Sequence, residues 1–133
     1  MLVGFEHVGL AVSDLDRSIA FYCDLVGMRL ILRKPMGAGG EQAFLDAGNA
    51  QLEMFCPAPA VATPARSVPD SEAGVRHLTF AVSDVDAMFS KLVAAGVPAH
   101  QQPRDAFNKE IVKRVAFVVD PDGILVELVE RAA

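Results

Sequence analysis

The sequence predicts an α+β protein built from two tandem βαβββ modules, and two observations support this fold class. The first is an internal repeat. HVGLAVSDLD at residues 7–16 matches HLTFAVSDVD at residues 77–86 in six of ten positions, namely the His, Ala, Val, Ser and both Asp. The second is the order of the expected elements, because a strand, a helix and three further strands are indicated twice. Such a duplication predicts two halves of the same architecture.

The domain organisation follows from where the repeat breaks. The first module is predicted at residues 1–56 and the second at residues 75–133, with a linker at residues 57–74. The region between the repeats contains four of the eight prolines and has almost no periodic pattern. Since 133 residues suffice for about one domain, the two modules are expected to form a single domain together.

Each element has its own local signal. Strands are expected near residues 4–12, 28–33, 41–46, 50–56, 75–82, 97–101, 111–119 and 124–130, and helices near 15–26 and 85–95. Asp14 and Asp84 precede the helices, where a carboxylate can accept hydrogen bonds from free backbone amides. Gly27 and Gly96 are expected to end them. Each module then ends in a hairpin with an Asp- and Gly-containing turn.

Helical spacing predicts which residues of each helix face the sheet. The stripe expected on the first helix is Ile19, Tyr22, Cys23 and Val26, and the stripe expected on the second helix is Val85, Met88, Phe89, Leu92 and Val93. Both helices are therefore expected to pack on one side of a sheet.

Composition excludes several classes of partner. The net charge of −5 and the pI near 5.1 disfavour nucleic acid and anionic membranes, which require clustered Lys and Arg. A signal peptide and a membrane span are not expected, so the sequence predicts a cytoplasmic protein with a small-molecule partner. Cys23 and Cys56 are expected to be free, buried thiols.

Four polar residues lie where core packing does not explain them. Strand alternation places His7 and His77 on the face opposite the helices, at equivalent positions of the repeat. Glu53 and Glu127 have the same relation to each other in the last strand of each module. If each sheet curves away from its helix, these four side chains converge on a cavity.

A divalent cation would explain the four residues together. A carboxylate buried without a partner costs several kcal/mol, and a cation removes that cost. Imidazole and carboxylate suit Zn, Ni, Co, Mn or Fe, and the small residues Gly9, Thr79 and Ala81 leave room for a ligand. Taken singly, a strand His is more often a hydrogen-bonded structural residue and a half-exposed Glu a solvated one. What favours the metal site is that all four residues occur together, at equivalent positions of the two repeats.

Other charged residues have two interpretations. Arg104, Lys109, Lys113 and Arg114 are expected to form either a cationic lip that attracts an anionic substrate or a solvated, charge-rich loop. His100 is expected on the surface, between strands.

Three segments resemble one known family. HVGLAVSDLDRSIAFYCDLVGM, HLTFAVSDVDAMFSKLVAAGV and AFVVDPDGILVELVE are similar to the vicinal oxygen chelate superfamily, which includes glyoxalases, bleomycin resistance proteins and dioxygenases. The resemblance spans almost the whole chain. It implies a cupped mixed sheet around a divalent metal, and often a homodimer. His7, Glu53, His77 and Glu127 match its metal ligands, and Glu127 matches the ligand that glyoxalase I also uses as a base.

The resemblance implies a metal-dependent lyase or isomerase that stabilises the enolate of a small oxygen-rich substrate. Two alternatives stay open: a dioxygenase or fosfomycin-type transferase using only His7, His77 and Glu127, and a metal-free drug-binding resistance protein. Ala11 and Pro57 stand where bacterial glyoxalase I carries the Arg and Asn that serve glutathione. Glutathione conjugates are therefore not the expected substrates.

Overall fold

The computed structural model describes residues 1–62 and 68–133, which fold as two compact units, Met1–Thr63 and Pro64–Ala133. Each unit contains one four-stranded mixed sheet. The α+β class with two βαβββ modules is therefore confirmed. The predicted linker at residues 57–74 includes residues 63–67, which lie outside the described residues.

The first unit contains four strands and a two-part helix. Its elements are β1 (His7–Ala11), α1 (Leu15–Ile19), a π-helix (Ala20–Val26), β2 (Arg29–Pro35), a 3-10 turn (Gly37–Gly39), β3 (Glu41–Asp46) and β4 (Gln51–Cys56). The strand order is β1-β4-β3-β2. β1 runs parallel to β4, and the other neighbours are antiparallel.

The second unit repeats this topology. Its elements are β5 (Leu78–Ala81), α2 (Val85–Ala94), β6 (Ala99–Asp105), β7 (Val112–Val119) and β8 (Leu125–Arg131). The strand order is β5-β8-β7-β6, again with the first strand parallel to the last. The parallel first and last strands matter for function because they place His77 near Glu127, and His7 near Glu53.

The core of each unit lies on the helix side of its sheet. Buried core residues include Leu15, Tyr22, Leu45, Leu52 and Met54 in the first unit and Val85, Leu92, Val118, Val126 and Leu128 in the second. Burying an aliphatic or aromatic side chain of this size contributes about 1.5–3 kcal/mol. The alternation expected for the hairpin strands is confirmed, since these apolar residues flank partly exposed Glu53 and Glu127.

Both helices begin and end as expected. The side chains of Asp14 and Asp84 accept hydrogen bonds from the backbone amides of the third residue after each, at 3.1 and 2.9 Å. Gly27 and Gly96 follow the helices with positive φ of 103° and 89°, a conformation that favours glycine.

The first helix differs from the second by one residue. Asp14 and Gly27 are separated by 27 − 14 = 13 positions, whereas Asp84 and Gly96 are separated by 96 − 84 = 12. The π-helix accommodates the extra residue, since its wider turns hold more residues than α-helical turns.

This insertion makes the predicted stripe of the first helix wrong in part. The buried residues are Leu15, Ser18, Phe21 and Tyr22, while Ile19, Cys23 and Val26 are only partly buried. The reason is that α-helical spacing does not hold through a π-helix. On the second helix Val85, Phe89 and Leu92 are buried as expected, but Val93 is exposed.

The outer strands carry equivalent irregularities. The register of β2 shifts between Leu30 and Leu32, and that of β6 shifts between Ala99 and Gln101. His100 therefore lies at a bulge within β6 rather than between strands, and it is exposed as expected. The two cysteines are free but only partly buried. Among the described residues, no helix has the length and apolar character needed to cross a membrane.

Candidate metal centre

The first unit carries a row of paired residues on the face opposite its helix. Glu53 of β4 pairs with Gly9 of β1 on one side and with Phe44 of β3 on the other. His7 lies two residues before Gly9, on the same face of β1. Its ring meets that of Phe44 edge to face, with 5.9 Å between the ring centroids. Gly9 leaves Glu53 uncovered, because a Cβ there would lie 3.5 Å from Glu53 Oε1.

Hydrogen bonds hold both polar side chains of the first unit. His7 Nδ1 is bonded to the Glu6 carboxylate, which raises the pKa of His7 above its ordinary value. Partial desolvation opposes this shift, and the negative charge of Glu53 adds to it. Gln42 Nε2 donates to Glu53 Oε2 at 3.1 Å. Glu53 thus lies within electrostatic range of His7, and its carboxylate is oriented by the neighbouring strand.

The second unit carries the same row with one change. Glu127 of β8 pairs with Thr79 of β5 and with Phe117 of β7. His77 directly precedes β5, and its ring meets Phe117 edge to face at a centroid distance of 5.4 Å. Thr79 stands at the position that Gly9 occupies in the first unit.

His77 and Glu127 are in close contact. His77 Nδ1 lies 3.5 Å from Glu127 Oε2, and the two side chains are 33% and 16% exposed. The Thr79 hydroxyl lies between them, 2.8 Å from His77 Nδ1 and 2.7 Å from Glu127 Oε2. Both groups are therefore partly withdrawn from water yet remain accessible to a ligand.

The structure thus brings the four sequence-predicted residues together as two pairs. His7 and Glu53 share one face of the first sheet, and His77 and Glu127 share the equivalent face of the second. The sequence reasoning missed the residues that support them, which are Glu6, Gln42, Phe44 and Phe117, and it treated Thr79 only as a small lining residue. The same two-residue alternation that selected the four candidate residues could have placed the two Phe rings beside the histidines.

The donors of these pairs fit a divalent cation. Each pair offers one imidazole nitrogen and one carboxylate, the donor types that zinc and its first-row neighbours accept. Each also has a supporting hydrogen bond on the carboxylate and on the imidazole, as ligands in metal sites generally do.

A second group of acidic residues lies elsewhere in the second unit. Carboxylate oxygens of Asp84, Asp86 and Glu130 lie within 4.8 Å of one another. Their charges have protein partners, however. Asp84 caps α2, Asp86 pairs with Arg114, and Glu130 accepts from the Val85 amide at 2.8 Å and pairs with Lys113. This cluster is accounted for as the anchorage of the N-terminus of α2 to the sheet.

Three of the four residues expected in a cationic lip or a charge-rich loop pair with acidic side chains, and the fourth, Arg104, donates to the backbone carbonyl of Asp105 at 3.0 Å. Arg114 pairs with Asp86 and Asp105, Lys109 approaches Asp105 at 3.9 Å, and Lys113 pairs with Glu130 at 3.1 Å. Their positive charges are therefore compensated by acidic residues, several of them distant in sequence.

Comparison with known proteins decides the family. Residues 4–128 match the sequence model of the Glyoxalase/Bleomycin resistance protein/Dioxygenase superfamily. The chain belongs to this superfamily. The resemblance inferred from the repeated motifs is thereby confirmed.

Superfamily relatives similar to this chain cover nearly its full length. The uncharacterized protein YaeR of Escherichia coli (strain K12) is 32% identical over 130 residues, which is 95% of each chain. A "Probable lactoylglutathione lyase" of Synechocystis sp. is 30% identical over 132 residues, 96% of this chain and 95% of the relative. The crystal structure of SMU.1112c superposes with a TM-score of 0.81 at 33% identity and covers 98% of this chain and 100% of its own.

Proposed function

We propose that the chain is a metal-dependent lyase or isomerase of the glyoxalase-like type, acting on a small oxygen-rich substrate. The ion is proposed to be held by His7, Glu53, His77 and Glu127, two from each unit. The observation that carries this proposal is the duplicated arrangement itself. In both sheets an imidazole lies beside a Phe ring on the face that also presents a carboxylate.

A bound divalent ion would supply positive charge at the site. When bound, a divalent cation would polarise the oxygens of a substrate and stabilise an enolate. The superfamily membership and the relatives named as lactoylglutathione lyases support this reaction class.

The residues of the chain supply the proton transfer. Glu127 is proposed to take a proton from the carbon next to a carbonyl and to return it to the resulting enolate, so that isomerisation leaves the enzyme unchanged. The hydroxyl of Thr79 holds Glu127 Oε2, which fixes the direction of the carboxylate. The rings of Phe44 and Phe117 contact the two imidazoles edge to face and restrict their orientation. A homodimer and a cytoplasmic location, which the sequence predicts, are part of the same proposal.

Metal analysis of the protein, purified without chelator or affinity tag, tests the proposal. We expect a bound first-row metal in the wild type and its loss in His77→Ala. The matched control is His100→Ala, which removes an exposed imidazole from the same sheet and should keep the metal. A wild type that contains no metal and takes up none of the added cations would contradict the proposal and favour a metal-free binding protein.

A second variant separates the enzyme classes. Glu53→Gln should weaken metal binding and lower activity if four ligands hold the ion. Unchanged binding and activity would favour the two-His, one-Glu alternative. A screen of 2-oxoaldehydes, acyl-CoA thioesters, catechols and epoxide antibiotics then identifies the substrate, and hemithioacetals of glutathione are expected to react poorly because of Ala11 and Pro57.

A further inference from the structure

The hydroxyl of Thr79 is positioned to set the protonation of its neighbours. It lies 2.8 Å from His77 Nδ1 and 2.7 Å from Glu127 Oε2, so that it bridges the two groups. Thr79 is held there because it pairs with Glu127 across β5 and β8. Its position in this bridge is therefore fixed by the sheet and not by a flexible loop.

Counting protons determines the direction of the two hydrogen bonds. A hydroxyl has one proton to donate, and an ionised carboxylate can only accept. The Thr79 proton therefore goes to Glu127 Oε2. The bond to His77 can then form only if Nδ1 carries a proton and donates it to Thr79 Oγ1. In a neutral imidazole this leaves the lone pair on Nε2.

The first unit reaches the same state by different means. Gly9 stands at the position of Thr79 and has no side chain, but His7 Nδ1 is bonded to the Glu6 carboxylate instead. Since a carboxylate accepts, His7 Nδ1 also carries the proton. Both halves thus hold the imidazole with Nδ1 protonated, although the groups responsible are unrelated in sequence.

We infer that Thr79 is a positioning residue that fixes His77 in the Nδ1-protonated tautomer and orients Glu127. The lone pair of His77 Nε2 would then be available to a cation, and the Glu127 carboxylate keeps a defined direction. This inference rests on the proposed function for the identity of the ligand. The tautomer itself is a property of the metal-free chain and can be measured without any substrate or metal.

Nuclear magnetic resonance of the metal-free, ¹⁵N-labelled protein tests the inference. The chain has three histidines, so their ring signals can be assigned by substitution. Long-range ¹H–¹⁵N correlations are recorded over a series of alkaline pH values, and the tautomer is assigned where the ring signals no longer change with pH. We expect His77 to be protonated on Nδ1 in the wild type and to move towards Nε2 protonation in Thr79→Val. Thr79→Ser, which keeps the hydroxyl, should restore the wild-type signal.

His7 and His100 are internal controls in the same spectra. Their signals should be unchanged in both variants, which would show that Thr79→Val leaves the fold intact. A His77 ring already protonated on Nε2 in the wild type would overturn the inference. An unchanged His77 signal in Thr79→Val would do so equally.

Zinc affinity supplies the second readout. Loss of a residue that supports a metal ligand usually weakens binding about 10- to 100-fold, so we expect a loss of this size in Thr79→Val and a value close to wild type in Thr79→Ser. A shifted tautomer with undiminished zinc affinity would overturn the positioning role. If the wild type binds no cation at all, the proposed function fails, and the tautomer result still decides what Thr79 does to His77.

Discussion

At the scale of single residues, the same pair of side chains, one His and one Glu, is hydrogen-bonded by different neighbours in the two halves. Glu6 and Gln42 hold the first pair, and Thr79 holds the second. Pattern and residue type were sufficient to predict that His7 and His77 occupy equivalent places in the two halves, because a polar residue at equivalent places of a repeat is visible in the sequence. The supporting hydrogen bonds were not predictable, since they depend on distances between strands.

The charged residues show the same limit. The sequence left a cationic lip and a solvated loop as alternatives, and neither interpretation names the acidic partners of these residues. Arg114 pairs with Asp86, 28 residues away, as well as with Asp105, so its charge is compensated by residues that only the fold brings near. Ion pairs between residues this far apart in sequence cannot be predicted without the fold.

The Arg114–Asp86 pair should make stability depend on pH. The guanidinium holds the pKa of Asp86 below its ordinary value. A lowered folded-state pKa adds stability at pH values above the ordinary carboxyl pKa of about 4, and this contribution is lost as the pH falls through the folded-state pKa. We therefore expect Arg114→Met to lower the free energy of unfolding at pH 7, with the difference from wild type shrinking towards pH 3.

Urea unfolding at a series of pH values measures this difference. Arg131→Met is the matched control, because it removes one positive charge from the exposed end of β8 without touching Asp86. A deficit in Arg114→Met that stays constant from pH 7 to pH 3 would show that the pair has no linked titration.

At the scale of elements, the strands were the most predictable part of the chain. The third strand was expected at residues 41–46 and is observed at Glu41–Asp46, and the other strands begin or end within a few residues of their expected limits. Alternation with a period of two is insensitive to what happens elsewhere in the chain. The fifth strand is the shortest relative to its expected length. It was expected at residues 75–82 and is observed at Leu78–Ala81, so that His77 precedes it.

The first helix was the least predictable element. A one-residue insertion relative to the second helix is visible in the spacing of Asp14 and Gly27, but its effect on the buried face is not. Sequence shows that a residue is extra, whereas only the structure shows that a π-helix takes it up and changes which side chains face the sheet.

Deletion variants test this explanation of the π-helix. Removing Asp24, an exposed residue of the π-helix, should let the segment adopt the α-helical spacing of α2 while both ends keep their places. The α2 helix contains no inserted residue. Removing Lys91, an exposed residue of α2, therefore rotates the face that carries Leu92. We expect urea unfolding to show a clearly smaller loss of stability for the Asp24 deletion. Equal losses would contradict the explanation.

At the scale of the whole molecule, the chain combines two units of the same topology within one superfamily domain. Fold class was predictable from the sequence because the duplication repeats hydrophobic patterning, helix caps and turns together. Reaction class is less determined by the fold, since one superfamily name covers glyoxalases, resistance proteins and dioxygenases. Activity must therefore be argued from the side chains that each sheet presents.

We propose that His7, Glu53, His77 and Glu127 bind one cation per chain. Calorimetric titration of the metal-free protein with Zn²⁺ tests it most directly. We expect one ion per chain in the wild type, with that single binding event abolished both in His7→Ala and in His77→Ala. Two ions per chain, each lost in only one of the variants, would contradict the claim, as would the absence of any binding.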